Sequence, residues 1–448
     1  MDFVLAYLQT FMRERVFVKF PDYWKKFLPE HLHKWIGRPV LLRKALYGYN
    51  YSGKFLYQDQ AKFLESQHFE KTCLPGLWVK HLDEGGIMMF LHYSDDIMSA
   101  STDEKAHSEL LHALAQRFDV ETKPRADWYL QTRIQQDSHG NITLDQERYS
   151  KSMIQRFLPN FAEAEITRRD LKKYASPLKP GTVLTNADCS KDKDEVYELE
   201  TEYGFRFIEV IGSMNWLAYT CYEEIYAIRK LCRFMALPGR PHFQAALHLL
   251  HHFRCHPPKP LIYYSDIEEA PVIKMLKDVP EFQKYDPTFF VFADSSHGDS
   301  DERKSTACDL QVYQGGLIDH ISWIPNPIPM SSAKSENNCY SAAIMRMKYT
   351  KKALMKLLSR SEENQLTVPI LVDSTAAIAM NTSDNPSRNT RHVESRFWYA
   401  KSAVKEGHAA FVKVEGSTKQ PADPGTKIQA DTQTAFYRSL FESNKHLL

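Results

Sequence analysis

Apolar and polar positions along the chain fall into three zones. Up to about residue 180, short apolar runs mix with stretches at helix spacing. Residues 87–92 have strand length, and 106–118 and 149–157 carry apolar positions three and four apart. Between Asp188 and Glu202, seven acids and two lysines leave little to bury, so this segment is expected to be a solvated connector. From Gly204 to Cys255 the spacing turns strongly helical, through 211–217 and again through 243–253. Pro257, Pro258 and Pro260 then end that zone. From about Asp286 the pattern is strand-rich, and the apolar runs 289–293 and 368–372 each lead directly into an aspartate.

Composition narrows the class. The 448 residues are 43% hydrophobic and 25% charged, which implies two or three globular domains rather than a disordered chain. No run approaches the ~20 apolar residues of a membrane span, so no membrane association is expected. The N-terminus lacks the layout of a signal peptide. Seven irregularly spaced cysteines without a C-x-x-C disfavour both a disulfide framework and a zinc site, and fit a reducing intracellular compartment.

A net charge of +1, from 57 Lys+Arg against 56 Asp+Glu, argues against a simple polyanion-coating protein. The distribution says more. Residues 225–265 contain no acid but hold Arg229, Lys230, Arg233, Arg240, Arg254 and Lys259 with five histidines among them. Such a one-signed face suits a phosphate backbone, and equally a solvated helix face without acids.

Two sets of carboxylates carry candidate chemistry. In the first, Asp95 and Asp96 follow the apolar run 87–91. A bare pair of this kind is most often a polar turn. The alternative is two-metal phosphoryl transfer, which needs a third carboxylate, for which Asp2 is the candidate. In the second, Asp294 and Asp373 end apolar strands, while Glu336 and Asp423 fall in helical or capping segments. Four acids drawn together would repel one another unless divalent cations lay between them.

These residues sit in recognisable company. Asp2-Phe3-Val4-Leu5-Ala6-Tyr7 resembles the first catalytic motif of reverse transcriptases, D-x-x-x-A-F/Y, and Tyr93-Ser94-Asp95-Asp96 resembles their Y-x-D-D box. Leu42-Arg43-Lys44-Ala45-Leu46-Tyr47-Gly48 resembles the L-x-K-A-L-Y-G signature of copia-type LTR retrotransposon polymerases. Residues 208–217 are similar to the thumb helix V-G-x-L-N-W. Residues 128–134 resemble the primer-gripping hairpin, with Gln131 where the family has glycine. Further on, Ala293-Asp294, the acid-rich run at 299–306, Ser335-Glu336, Val372-Asp373-Ser374 and Ala422-Asp423-Pro424-Gly425-Thr426-Lys427 follow the order of the copia RNase H motifs. Asn389-Thr390-Arg391-His392-Val393-Glu394 resembles the run R-T-K/R-H between the third and fourth acids.

The resemblance implies the C-terminal part of a copia-type Pol polyprotein, N-terminally truncated so that the fingers are absent. The implied fold is α+β and α/β: a polymerase palm of antiparallel sheet with helices, a helical thumb, then an RNase H-like α/β domain. The expected boundaries are 1–180 for the palm, 181–204 for the acidic linker, 205–285 for thumb and connection, 286–430 for the RNase H-like domain and 431–448 for a tail. It implies two Mg²⁺ (or Mn²⁺) per active site, held by Asp2, Asp95 and Asp96 in one and by Asp294, Glu336, Asp373 and Asp423 in the other. Tyr7, Lys44 and Gly48 would face nucleotide and template, with Tyr7 as an aromatic wall against the ribose. Gly212, Trp216, Arg229, Lys230, Arg233, Arg391 and His392 would hold duplex. Gly212 and Trp216, four apart on one helix face, could track a minor groove by shape, or Trp216 could pack in the helix core. The implied partners are RNA template, RNA–DNA hybrid, primer and dNTP. The implied location is cytoplasmic, in virus-like particles, or nuclear. RNA cleavage in hybrids is the activity expected to be retained over polymerisation; the alternative is a degenerate or domesticated copy that binds nucleic acid without catalysis.

Overall fold

The structure is a computed structural model and describes residues 2–123, 125–298, 304–326, 331–358, 366–382, 395–428 and 431–443. The chain forms two compact units, one of residues 1–130 with 350–361 and one of 131–349 with 362–448. The first boundary lies at 130 rather than near 180, because the segment after it packs with the helices expected to form the thumb.

In the first unit, a six-stranded antiparallel sheet runs in the order Glu70–Lys71, Leu77–His81, Ile87–Tyr93, Asp96–Ser101, Asp2–Phe3, Val120–Glu121. Alternate residues of Ile87–Tyr93, Met88, Phe90 and His92, are buried, as a half-covered sheet requires. Helices Ser52–Ser66 and Glu104–Arg117 cover that face with Leu56, Phe63, Leu64, Leu110 and Leu114. The Asp103 carboxylate caps the second helix by accepting from the Ala106 N–H at 3.0 Å. A separate two-stranded sheet pairs Phe11–Lys19 with Pro39–Lys44.

The second unit holds two cores. Helices Glu147–Phe157, Phe207–Leu217, Ile225–Cys232 and Arg240–Cys255 enclose one, around Ile211, Met214, Ile228, Phe243 and Leu250. A five-stranded mixed sheet forms the other, in the order Gly316–Trp323, Ala307–Tyr313, Phe289–Ser295, Val368–Val372, Ala409–Lys413. Its first three strands are antiparallel and its last two join in parallel. Every residue of Phe289–Ser295 and Val368–Val372 is buried, which explains why these central strands read as continuous apolar runs rather than alternating ones.

Two expected boundaries change. The acidic run is not a connector: Lys193–Tyr203 is a helix. Three acids stand at its N-terminus, where Asp192 accepts from the Asp194 and Glu195 N–H groups at 3.0 Å and negative charge complements the helix dipole. Gly204, at φ 74°, ends it in a left-handed turn that glycine adopts without strain. Leu199 is buried in the helical core, and Glu202 pairs with Arg240. Nor are residues 431–443 a mere tail. Asp431–Arg438 is a helix, and Tyr437, Leu440 and Phe441 are buried against the five-stranded sheet's core. The Arg438 guanidinium is shared between the buried carboxylates of Glu223 and Glu224.

These placements predict that Leu199→Ala lowers stability by about 2–4 kcal/mol, the usual cost of emptying a leucine site. Tyr197→Ala, on the exposed side of the same helix, should stay within about 0.5 kcal/mol. Urea denaturation of both variants checks this, and equal, negligible effects would restore the connector.

Candidate metal centre

The first carboxylate set is built on a hairpin. Strand Ile87–Tyr93 turns through Ser94, at φ 56°, and Asp95 into strand Asp96–Ser101. The Asp2 backbone lies in antiparallel register with Asp96, and the Phe3 N–H donates to the Asp95 carbonyl at 3.3 Å. The three expected aspartates are therefore neighbours along adjoining strands. Asp95 and Asp96 are both half-buried.

Support for this turn comes from residues that sequence reasoning missed. His92 is buried beneath it; its Nε2 accepts from the Trp78 indole at 3.2 Å, and its Nδ1 lies 2.7 Å from Gln60 Oε1. Burial pushes His92 down to about 4, so the ring is neutral at physiological pH, with Nδ1 as the donor to Gln60. The Gln60 amide also donates to the Ser94 carbonyl at 3.3 Å, tying helix Ser52–Ser66 to the turn. A His directly before a Y-x-D-D box was the available signal. Tyr7 packs on Tyr47 with ring centroids 4.7 Å apart. Lys44 lies over the Phe11 ring, and Gly48, at φ 86°, takes a conformation suited to glycine.

The second set is the tighter one. Asp294 lies at the C-terminal end of the central strand Phe289–Ser295. Glu336 is in the second turn of helix Ser332–Leu357, and Asp373 directly follows Val368–Val372. One carboxylate oxygen from each lies within 4.8 Å of the others. Asp423, in the turn Asp423–Gly425, falls outside that triad, with its carboxylate 2.8 Å from Lys427 Nζ, but its charge still acts on Asp294.

The electrostatics follow from crowding. Burial, then the charges of Asp423 and Asp373, push Asp294 up to about 8 against the opposing hydrogen bond from Thr426, whose hydroxyl donates to Oδ2 at 2.8 Å. Burial and then the Asp294 and Asp373 charges push Glu336 up to about 9. Asp373 is raised too, chiefly by burial, with Lys413 opposing. Glu336 Oε2 is buried without a hydrogen-bond partner, which is costly unless a cation or proton satisfies it. A β-carbon at Gly416 would collide with the Asp373 carboxylate, so the glycine keeps that oxygen's surroundings open. Three converging hard oxygen donors, one of them orphaned, fit a divalent cation such as Mg²⁺ or Mn²⁺. Thr426 and Lys427, in the text following Asp423, and Gly416 are the supporting residues that the four acids alone did not reveal.

The expected duplex-holding residues divide. Gly212 is exposed, with nothing within 4 Å of an added β-carbon, and Trp216 is half-buried one turn later, edge-on to the exposed Tyr219. Trp216 thus borders the helix surface and does not fill the helix core. The histidines of the acid-free stretch, by contrast, do not form a basic face. His242, His248, His251 and His252 are buried. Burial holds His248 down at about 4 and lowers His242 and His251, so these rings add no positive charge. His248 lies 3.1 Å from the Ser176 carbonyl, and the Arg254 guanidinium donates to the carbonyls of Phe161 and Ala164 at 2.7 Å. Arg229, Lys230 and Arg233 line a cavity with Lys304 and Trp323. Arg391 and His392, with the rest of 389–394, lie outside the described residues, as do 299–303 of the acid-rich motif.

Comparison with known proteins completes the picture. Residues 1–167 match the sequence model of the reverse transcriptase (RNA-dependent DNA polymerase) family. The retrovirus-related Pol polyprotein from transposon TNT 1-94 of Nicotiana tabacum is 22% identical over 431 residues, 96% of this chain and 29% of that one. The corresponding polyprotein from transposon RE1 of Arabidopsis thaliana is 27% identical over 248 residues, 55% of this chain and 15% of the other. A transposon Ty5-1 protein of Saccharomyces cerevisiae is 23% identical over 367 residues, 78% of this chain and its own full length. This chain thus spans less than a third of the plant polyproteins it matches. A solved foamy viral protease–reverse transcriptase in complex with double-stranded DNA aligns at 13% identity over 85% of this chain and 54% of that one, with a TM-score of 0.18.

The raised carboxyls fix a pH dependence. Asp294 and Glu336 keep protons in the folded, metal-free protein that the unfolded chain sheds near pH 4. Their contribution to stability is whole below about pH 4 and is lost as pH rises through about 8 to 9. Metal-free protein should therefore melt at progressively lower temperature from pH 5 to 9. Saturating Mn²⁺ should flatten that slope and release protons on binding, which calorimetry in buffers of different ionisation enthalpy reads directly.

Proposed function

We propose that this chain, whose residues 1–167 match the reverse transcriptase family model, carries a copia-type reverse transcriptase palm, and that its second unit is an RNase H-like domain cleaving the RNA strand of RNA–DNA hybrids with Mg²⁺. The observation that carries the reading is the triad Asp294, Glu336 and Asp373, three carboxylates brought within 4.8 Å at one end of a mixed sheet with helices around it. The tobacco match, at 96% of the chain, extends through this region and supports it.

The residues divide the work. Asp294 is the fixed point, held by Thr426 Oγ1 on one carboxylate oxygen while its backbone carbonyl accepts from the Cys339 thiol at 3.1 Å. Glu336 and Asp373 approach it from a helix and a neighbouring strand end, so the carboxylate spacing is set by the sheet and not by loops. Asp423 completes the acidic wall, with Lys427 offsetting its charge. Divalent cations bound there would activate water and stabilise the departing 3′ oxygen of the cleaved strand. Trp216 and Gly212 would meet the duplex by shape, a recognition mode suited to a substrate read without sequence.

The palm supports a second activity of the same family, RNA-directed DNA synthesis, on the register of Asp2 with Asp96. Its carboxylates are half-buried at a hairpin turn, whereas Asp294 and Glu336 of the other set are buried, and we place cleavage ahead of polymerisation on that contrast.

Asp373→Asn should cut Mg²⁺-dependent cleavage of a labelled hybrid by at least about 100-fold, the scale of removing one charge-stabilising group from an active site. Because it also removes a repelling charge, the same substitution should leave the metal-free melting temperature unchanged or raise it. Intact chain that binds hybrid but cleaves none would overturn the catalytic reading in favour of a domesticated, non-catalytic binder.

A further inference from the structure

A cavity of about 350 Å³ lies between helix Ile225–Cys232 and the end of strand Gly316–Trp323. It is at the lower end of the ~300–1,000 Å³ range of small-ligand pockets. Arg229, Lys230, Arg233 and Lys304 line it, with Trp323 and Ile321 among its apolar walls, and its lining includes no acid among the described residues. Arg229 and Arg233, the latter the capping residue at the helix end, are four apart, an arrangement that is mildly destabilising for like charges. A helix C-terminus offsets part of that repulsion through its dipole. Lys304 reaches the same cavity from another segment.

The position in the sheet matters as well. Trp323 pairs with Ala307, and Ala307 with Ser295, the residue after Asp294. The cavity therefore lies at the same end of the sheet as the carboxylates, about two strand spacings, or ~10 Å, across it.

We propose that this cavity binds one nucleoside phosphate unit, with the phosphate among the four cations and the base against the Trp323 ring. Guanidinium forks match phosphate oxygens in pairs, and an indole face stacks any base without regard to sequence. The same chemistry is offered by a free nucleotide and by one unit of a nucleic-acid strand. The proposal stands on the cavity's own lining and does not depend on hydrolysis at the carboxylates.

Calorimetry on the full chain with AMP, adenosine and inorganic phosphate, and fluorescence anisotropy with a short RNA–DNA hybrid, test it. AMP is expected to bind at least 10-fold more tightly than adenosine and to be displaced by phosphate. The double variant Arg229→Gln/Arg233→Gln, and separately Trp323→Ala, should weaken AMP at least 10-fold at an unchanged melting temperature. If the occupant is a unit of a strand, the double variant also weakens the hybrid at least 10-fold with a shallower salt dependence; if it is a free nucleotide, hybrid affinity is unaltered. Should the double variant fail to fold, Lys304→Gln, outside the helix, is held to the same criteria. Adenosine binding as well as AMP, or folded variants that bind both AMP and hybrid like the parent, overturns the proposal. Asp373→Asn keeps the two readings apart, since it should abolish cleavage while leaving AMP binding intact.

Discussion

The mutual repulsion of buried carboxylates is the constraint around which the five-stranded sheet is organised. Asp294 has a backbone that belongs to a strand buried at every position, so its side chain cannot relax toward water. Asp373 leaves the adjacent parallel strand, and Glu336 enters on the long helix. Each element is fixed by apolar packing well away from the charges: Phe290, Phe292, Leu310 and Leu371 on one side, Tyr340, Ile344 and Met347 on the other. Hydrophobic burial elsewhere thus holds like charges together, the usual trade of stability for a pre-formed site. The raised carboxyls are the visible sign of that trade, and a cation reverses its sign because the groups that repel one another all attract it.

The helical half of the same unit solves the opposite problem. It gathers histidines and arginines without acids in sequence, yet most of the histidines are turned inward and kept neutral by burial. Main-chain carbonyls from 161–176 take the hydrogen bonds of His248, His252 and Arg254, so these polar side chains bind that segment to helix Arg240–Cys255. What remains at the surface is a smaller and more local positive charge, concentrated where Arg229 and Arg233 meet the strand end. Charge counted along the sequence overstated the basic face because burial decides which groups are ionised.

The sequence made the strands legible wherever the aspartates matter. The runs before Asp95, Asp294 and Asp373 are short, apolar and bounded, and each is a strand; the latter two are buried throughout because a central strand has no solvent face to alternate with, while the first buries every second residue. The triad's members were equally legible from their motifs. The packing around them was not, since Gly416, Thr426 and His92 act through contacts between segments distant in sequence. The acidic segment was misread for a different reason. Composition averaged over 188–202 looks solvated, but Leu199 and Tyr203 anchor the helix to the core. The C-terminal helix was missed because its anchors, Glu223 and Glu224, lie more than two hundred residues away.

The two carboxylate sets show how the same chemistry depends on its supports. Asp95 and Asp96 stand on a hairpin whose turn is braced by a neutral His92 between Trp78 and Gln60. That bracing fixes the backbone but leaves both side chains half exposed, where water can share the cost of their charge. Asp294 has no such outlet, so its site is poised to exchange protons for cations in a way the hairpin is not. A buried set is stable only when a proton or a cation offsets its charge; a half-exposed set at a strand turn is offset by water. The difference in burial, more than the identity of the acids, separates a centre complete within its own unit from one whose geometry is finished by what it binds.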